Sequence, residues 1–185
     1  MADNRELLVF LVDDDEIYLK GIEHHLKENL KYKVTLRTFK TGEEVLQAIG
    51  EKPDIIFLDH YLDSVKKDAL NGMEILKRIH KEDEDIHVII LSGQDKIEVA
   101  IDTMKYGAFD YIVKTEGAMV RAQNVVGNVV RMITQAELLR SYKIGFIITL
   151  IVLAVIIIFA ISMYMICPDC INPSHYREGD PINVG

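Results

Sequence analysis

The chain has 185 residues, 49% apolar and 27% charged, with a formal net charge of −8 and a mean hydropathy of +0.12. That length holds one ordinary domain plus a remainder and is too short for most two-domain enzymes. A positive hydropathy beside so many charges requires the apolar and charged residues to be segregated, which excludes disorder and a fibrous or multi-span membrane protein. Residues 1–143 carry 20 basic and 26 acidic side chains with no Lys/Arg cluster, so no nucleic-acid surface is expected.

The first element is the unbroken apolar run Leu7 to Val12, closed by Asp13-Asp14-Asp15. Such a run reads as a strand buried on both faces. Ile17, Leu19, Ile22 and Leu26 follow at helical spacing, and Val34 to Phe39 alternates as a strand does. Thr41-Gly42-Glu43-Glu44 starts a second helix carrying Val45, Leu46 and Ile49. Pro53-Asp54 punctuates before the buried strand Ile55 to Leu58, and Asn71-Gly72 turns into a helix carrying Met73, Ile75, Leu76 and Ile79. Ile86 to Leu91 is a fourth strand, Ile97, Ala100, Ile101 and Met104 are helical, and Asp110 to Val113 is a short fifth strand before a helix from Gly117. Strands alternating with helices predict an α/β fold, a parallel sheet with helices on both faces, whose ligands sit at the carboxyl ends of the strands.

Those strand ends carry the chemistry. Asp13-Asp14-Asp15, Asp59, Ser92 and Lys114 are expected on one rim. Crowded carboxylates repel one another and call for a cation, and an all-oxygen donor set at a wet rim suits Mg²⁺. An ammonium and a hydroxyl beside a metal suit a phosphoryl group, and a carboxylate such as Asp59 can act as nucleophile to give an acyl phosphate. Each residue has a plainer reading alone: Asp13 or Asp15 as a helix cap, Ser92 as a turn residue, Lys114 as a surface charge, Tyr111 as core. Asp15 is assigned chiefly to capping, and His24-His25 and the run Lys81 to Asp85 to solvated faces. His60 is placed beside the site mouth.

The motifs VDDD (12–15), IIFLDHYL (55–62), NGMEIL (71–76), LSGQ (91–94) and YGAFDYIVK (106–114) stand in order, most of them at strand ends. In this the segment 5–132 resembles a response-regulator receiver domain of two-component phosphorelays. The resemblance implies a flavodoxin-like, doubly wound five-stranded sheet of order 2-1-3-4-5. It implies that Asp59 is the phosphoacceptor. It also implies that Asp14, Asp13, Asp59 and the backbone carbonyl of Tyr61 hold Mg²⁺. Ser92 and Lys114 would bind the phosphoryl group, and Tyr111 would turn inward when the Ser92 position moves. Tyr61 and Gln94 occupy the positions that tune self-dephosphorylation. The implied partner is a histidine kinase or a histidine phosphotransfer protein, with the face of helix four, strand five and helix five as output.

Three departures from the family pattern stand out. Gly72 lies thirteen positions after Asp59 with no Pro between them, so Asp63 to Ala69 reads as an insertion. The usual Lys-Pro step is Lys114-Thr115, for which a trans bond is expected. Tyr61 is bulky and is expected to impede water attack on the acyl phosphate.

From Ile144 to Ile166 run 23 residues without a charge, 20 of them apolar. They reach ~34 Å as a helix, enough for a hydrocarbon core of ~30 Å. A transmembrane helix is expected at 144–166, after a juxtamembrane helical linker at 133–143. Arg131, Arg140 and Lys143 precede the run and only Arg177 follows it, which puts the receiver in the cytoplasm and a short tail, 167–185, outside. No signal peptide is expected at the N-terminus, where the first apolar run is too short. Cys167 and Cys170 form a lone CxxC in that tail, too little for a zinc site. Homodimer contact through the output face or the apolar helix is left open.

The function expected is that of a membrane-anchored, single-domain receiver acting as a phosphorylation switch or phosphate sink, not a separate enzyme. A phosphorylation-independent membrane scaffold is one alternative. An aspartyl-nucleophile phosphohydrolase is another, against which stands Tyr61 where that class places a second Asp.

Overall fold

The computed structural model describes residues 6–62 and 70–166. The chain divides into two compact units, Met1–Thr134 and Gln135–Gly185. In the first unit the apolar runs become five parallel strands, β1 (Leu7–Val12), β2 (Val34–Phe39), β3 (Ile55–Asp59), β4 (His87–Ser92) and β5 (Asp110–Val113). Helices α1 (Glu16–Asn29), α2 (Gly42–Ala48), α3 (Gly72–Glu82), α4 (Ile97–Lys105) and α5 (Ala118–Ile166) alternate with them. The strand order is β2-β1-β3-β4-β5, as the receiver resemblance implied.

Period-two alternation within the strands divides the core between the two sheet faces. Val9, Leu11, Phe57, Ile89, Leu91 and Ile112 pack with Leu19, Ile22 and Leu26 of α1 and with Ala122, Val125, Val126 and Val129 of α5. Phe10, Val12, Ile56, Leu58, Val88 and Ile90 pack with Val45 of α2 and with Ile75, Leu76 and Ile79 of α3. A strand buried on both sides has no polar face, which is why these runs are continuous in the sequence.

Local chemistry sets the helix starts. Asp15 caps α1, accepting from the amides of Ile17 and Tyr18, as its capping assignment required. Thr41 caps α2 and Asn71 caps α3 through the amides of Glu44 and Glu74. Helix α4 is the exception to apolar-face burial. Ile97 is 72% exposed, and Ile101 and Met104 are each 49% exposed. Ile17, at the start of the α1 stripe, is also open at 83%. His24 faces solvent as expected. His25 does not, since its Nε2 lies 3.3 Å from Gln123 Oε1 on α5.

The inserted segment 63–69 lies outside the described residues, as do Cys167, Cys170 and the tail. Gly72 beyond the insertion nevertheless packs on the end of β3, and its amide donates to the His60 carbonyl at 3.2 Å. A Cβ at residue 72 would stand 2.4 Å from the Asp59 carbonyl oxygen and 2.8 Å from His60 Cα.

In the second unit, Tyr142–Met163 is the one helical stretch among the described residues long and apolar enough to cross a membrane. Its most apolar 18 residues have a mean hydropathy of 3.3, and none of them is buried.

Gly72→Ala must push α3 off the end of β3, because the atoms met are backbone. A loss of about 1–3 kcal/mol is expected. Urea unfolding checks it, and an unchanged midpoint would show that the start of α3 yields freely.

Candidate functional site

The strand order reverses between β1 and β3, so the crevice above their carboxyl ends is the topological switch point. In the register Val12 pairs with Leu58, which puts Asp13 and Asp59 in the next row, side by side. Asp59 pairs in turn with Leu91, and Ser92 with Val113, so Ser92 stands one row further out and Lys114 one row beyond that. The four residues expected on one rim are thus placed there by register alone.

The rim is buried. Asp13 is 1% exposed, Asp59 4% and Ser92 0%. Lys114 Nζ lies 2.6 Å from Asp13 Oδ2 and 3.1 Å from Asp59 Oδ1. Asp13 Oδ1 accepts from the Asp15 amide at 3.0 Å, while Oδ2 has the ion pair with Lys114 but no well-directed hydrogen bond. Asp14 is half-buried, and ligand oxygens of Asp13, Asp14 and Asp59 lie within 4.8 Å of one another. Three clustered carboxylates, one with an oxygen poorly served by hydrogen bonds, match the hard-oxygen donor set of Mg²⁺.

Burial dominates the electrostatics. It pushes the Asp59 carboxyl up to about 6 against the pull of Lys114, with Asp13 pushing the same way and the Tyr61 amide opposing. Burial also raises Asp13, with Asp14 adding to it and Lys114 and the Asp15 amide opposing. Burial alone would lower Lys114, but its close ion pair with Asp13 and the charges of both carboxylates outweigh it and hold the ammonium above its ordinary value.

The residues around this core are also placed. Ser92 Oγ accepts from the Gln94 amide at 3.1 Å, and the Tyr111 hydroxyl donates to the Gln94 carbonyl at 2.7 Å. Tyr111 is turned inward, 8% exposed. Gln94 Oε1 is buried without a hydrogen-bond partner. Tyr61 is 40% exposed at the mouth, edge-on to the His60 ring at 4.6 Å. The Lys114-Thr115 bond is trans, as expected, since no cis peptide occurs among the described residues. The Thr115 amide donates to Val113 O at 2.8 Å, a tight turn for which proline has no donor.

One residue at the site was not read from the sequence. Tyr18 of α1 sets its ring 4.6 Å from Lys114 Nζ. Its hydroxyl is buried with no hydrogen-bond partner. The signal available was position: helical side chains lean toward the N-terminus, so a residue one turn after Asp14 overhangs the rim.

The family described as the response regulator receiver domain matches residues 9–123, and the chain belongs to that family. Its members are the receiving modules of two-component signalling, and they interact with histidine kinases or phosphotransfer proteins. The nitrogen assimilation regulatory protein NtrX of Azorhizobium caulinodans is 34% identical over 105 residues, 56% of this chain and 22% of that one. The DNA-binding transcriptional regulator NtrC of Escherichia coli K12 is 31% identical over 108 residues, 58% of this chain and 21% of its own. The chain therefore spans about a fifth of the length of these relatives. The crystal structure of the receiver domain of NtrX from Brucella abortus superposes with a TM-score of 0.58 at 26% identity, covering 66% of this chain and 98% of that one.

Asp59 titrates in the folded chain near 6 and in the unfolded chain near its ordinary 3.8. Between those values the folded state binds the extra proton, so stability falls as pH rises from about 4 through about 6. Without divalent cations, Asp59→Asn is expected to be more stable than the native chain at pH 7.5, by on the order of 2 kcal/mol. The gap should close toward pH 4. Urea midpoints across pH check this, and a gap that widens on acidification would reverse the sign assigned to burial.

Proposed function

We propose that residues 5–132 act as a phosphorylation switch or phosphate sink in which Asp59 accepts a phosphoryl group from a histidine kinase or phosphotransfer protein. The observation carrying this reading is the buried Asp59 carboxylate 3.1 Å from Lys114 Nζ and beside Asp13 in a parallel row. In the transfer an Asp59 oxygen attacks phosphorus, the P–N bond to the donor imidazole breaks, and its electron pair returns to the ring. Lys114 balances charge on the transferred oxygens. Mg²⁺ held by Asp13, Asp14, Asp59 and the Tyr61 carbonyl supplies further positive charge to those oxygens when bound. No separate enzymatic role is assigned to the chain.

The Ser92 hydroxyl then turns to the phosphoryl group and gives up the Gln94 amide. The loop that gives it up is the one the Tyr111 hydroxyl holds through Gln94 O. Phosphorylation thereby biases Tyr111 and the face of α4, β5 and α5, where Ile101 and Met104 are already open. That face and the apolar helix are the two surfaces through which a homodimer would form.

The stretch Tyr142–Met163 supports a membrane anchor, and the excess of Arg131, Arg140 and Lys143 over Arg177 around the uncharged run supports a cytoplasmic receiver with residues 167–185 outside. Its 22 residues reach ~33 Å as a helix, against a hydrocarbon core of ~30 Å. Tethering raises the effective concentration of the receiver near membrane-bound kinases.

Asp59→Asn is expected to abolish labelling by radiolabelled acetyl phosphate with Mg²⁺, and persistent labelling would remove Asp59 from its role. Tyr61→Ala is expected to shorten the acyl-phosphate lifetime several-fold by opening the site mouth to water, and a longer lifetime would sink the shielding role. In intact cells a membrane-impermeant maleimide should reach Cys167 and Cys170, and labelling only after lysis would invert the topology.

A further inference from the structure

Tyr18 stands against the site without a role in the chemistry above. The Lys114 ammonium, which holds Asp13 and Asp59, rests 4.6 Å from the centre of the Tyr18 ring. That distance is within the range of a cation–π contact. The ring therefore lies against the ammonium that holds both carboxylates. The hydroxyl at its tip is buried and has neither a donor nor an acceptor. A buried hydroxyl with no partner is costly and calls for an explanation, a ligand that completes it being one.

The identity of the missing partner follows from the surroundings. Burial pushes the Tyr18 phenol up to about 12, and the charges of Asp13 and Asp59 push the same way. The group is thus a permanent O–H donor within the field of both carboxylates. What it lacks is an acceptor oxygen, and the acceptor must be one that arrives at this rim.

We infer that Tyr18 is a phosphoryl-binding residue: its ring fixes the Lys114 ammonium, and its hydroxyl donates to an oxygen of the group carried on Asp59. The inference rests on the phosphoacceptor reading and adds a donor from α1 to those from β4 and β5. It separates two contributions within one side chain. Tyr18→Phe keeps the ring and removes the donor, whereas Tyr18→Leu removes both.

The test uses the full chain in detergent micelles, with fluoroberyllate and Mg²⁺ as the phosphoryl mimic and calorimetry as the readout. Native protein should bind the mimic, and Asp59→Asn should not. Tyr18→Phe should bind about tenfold to a hundredfold more weakly, the size of one hydrogen bond to a charged group, and Tyr18→Leu more weakly still. Tyr18→Phe within twofold of native would overturn the Tyr18 role and leave Asp59 untouched. Binding by Asp59→Asn, or none by the native chain, would overturn both. A measurement without any variant guards against misfolding. In chain labelled at tyrosine Cζ, the Tyr18 carbon resonance should shift on adding the mimic, and an unmoved resonance overturns the assignment.

Discussion

The ammonium of Lys114 between the carboxylates of Asp13 and Asp59 is the contact on which the arrangement of the rim depends. Two buried acids in adjacent rows of a parallel sheet repel each other and lose their hydration. One cation at 2.6 and 3.1 Å offsets part of that cost but not all of it, since both carboxyls remain raised. The deficit is chemically useful. A site that is short of positive charge favours whatever brings more, and a divalent cation does so. In the proposed transfer the same Lys114 would follow the charge outward onto the transferred oxygens. The rim is thus poised by being incompletely neutralised.

That poise is connected to the rest of the sheet by short links. Lys114 is fixed at its backbone, where its amide donates to Ser92 O at 2.7 Å. Ser92 holds the Gln94 amide, and Gln94 O holds Tyr111. A charge placed on Asp59 therefore meets a chain of three hydrogen-bonded residues rather than a diffuse surface. The loose packing of α4 gives that chain something to move: Ile97, Ile101 and Met104 lie open, so a change there forfeits little buried area. Tightly packed α3, with Ile75, Leu76 and Ile79 fully buried, is the fixed counterpart.

Most of the fold was legible because the strands are buried on both faces, so Leu7 to Val12 and Ile55 to Leu58 appear as unbroken apolar runs. The rim was legible because a parallel sheet ends all its strands on one side. Other features depended on tertiary context that periodicity does not carry. Ile17, Ile97, Ile101 and Met104 have helical spacing, yet each stays about half exposed or more. Tyr18 lies between the buried stripe of α1 and the rim, and only the direction of its side chain decides which it serves. The Thr115 amide bond to Val113 explains how the loop closes without a proline, but a substitution alone announces only that something differs. His25 reads as a surface charge until Gln123 is seen opposite it.

The apolar helix poses a separate physical question. Within Tyr142–Met163 the most apolar 18 residues have a mean hydropathy of 3.3, and none of them is buried. Apolar area left in water costs ~25 cal/mol per Å². Ile, Leu, Val and Phe at half exposure or more along the whole stretch make that cost too large for a helix in water. Such a helix calls for a cover, and the proposed one is a membrane. Lipid fits better than a protein groove because the apolar surface runs all round the helix, whereas a groove covers one stripe. The chain's hydropathy and its acidity thus answer to different solvents. The acids gather at a buried rim whose oxygens suit a cation, and the proposed membrane anchor accounts for the apolar excess.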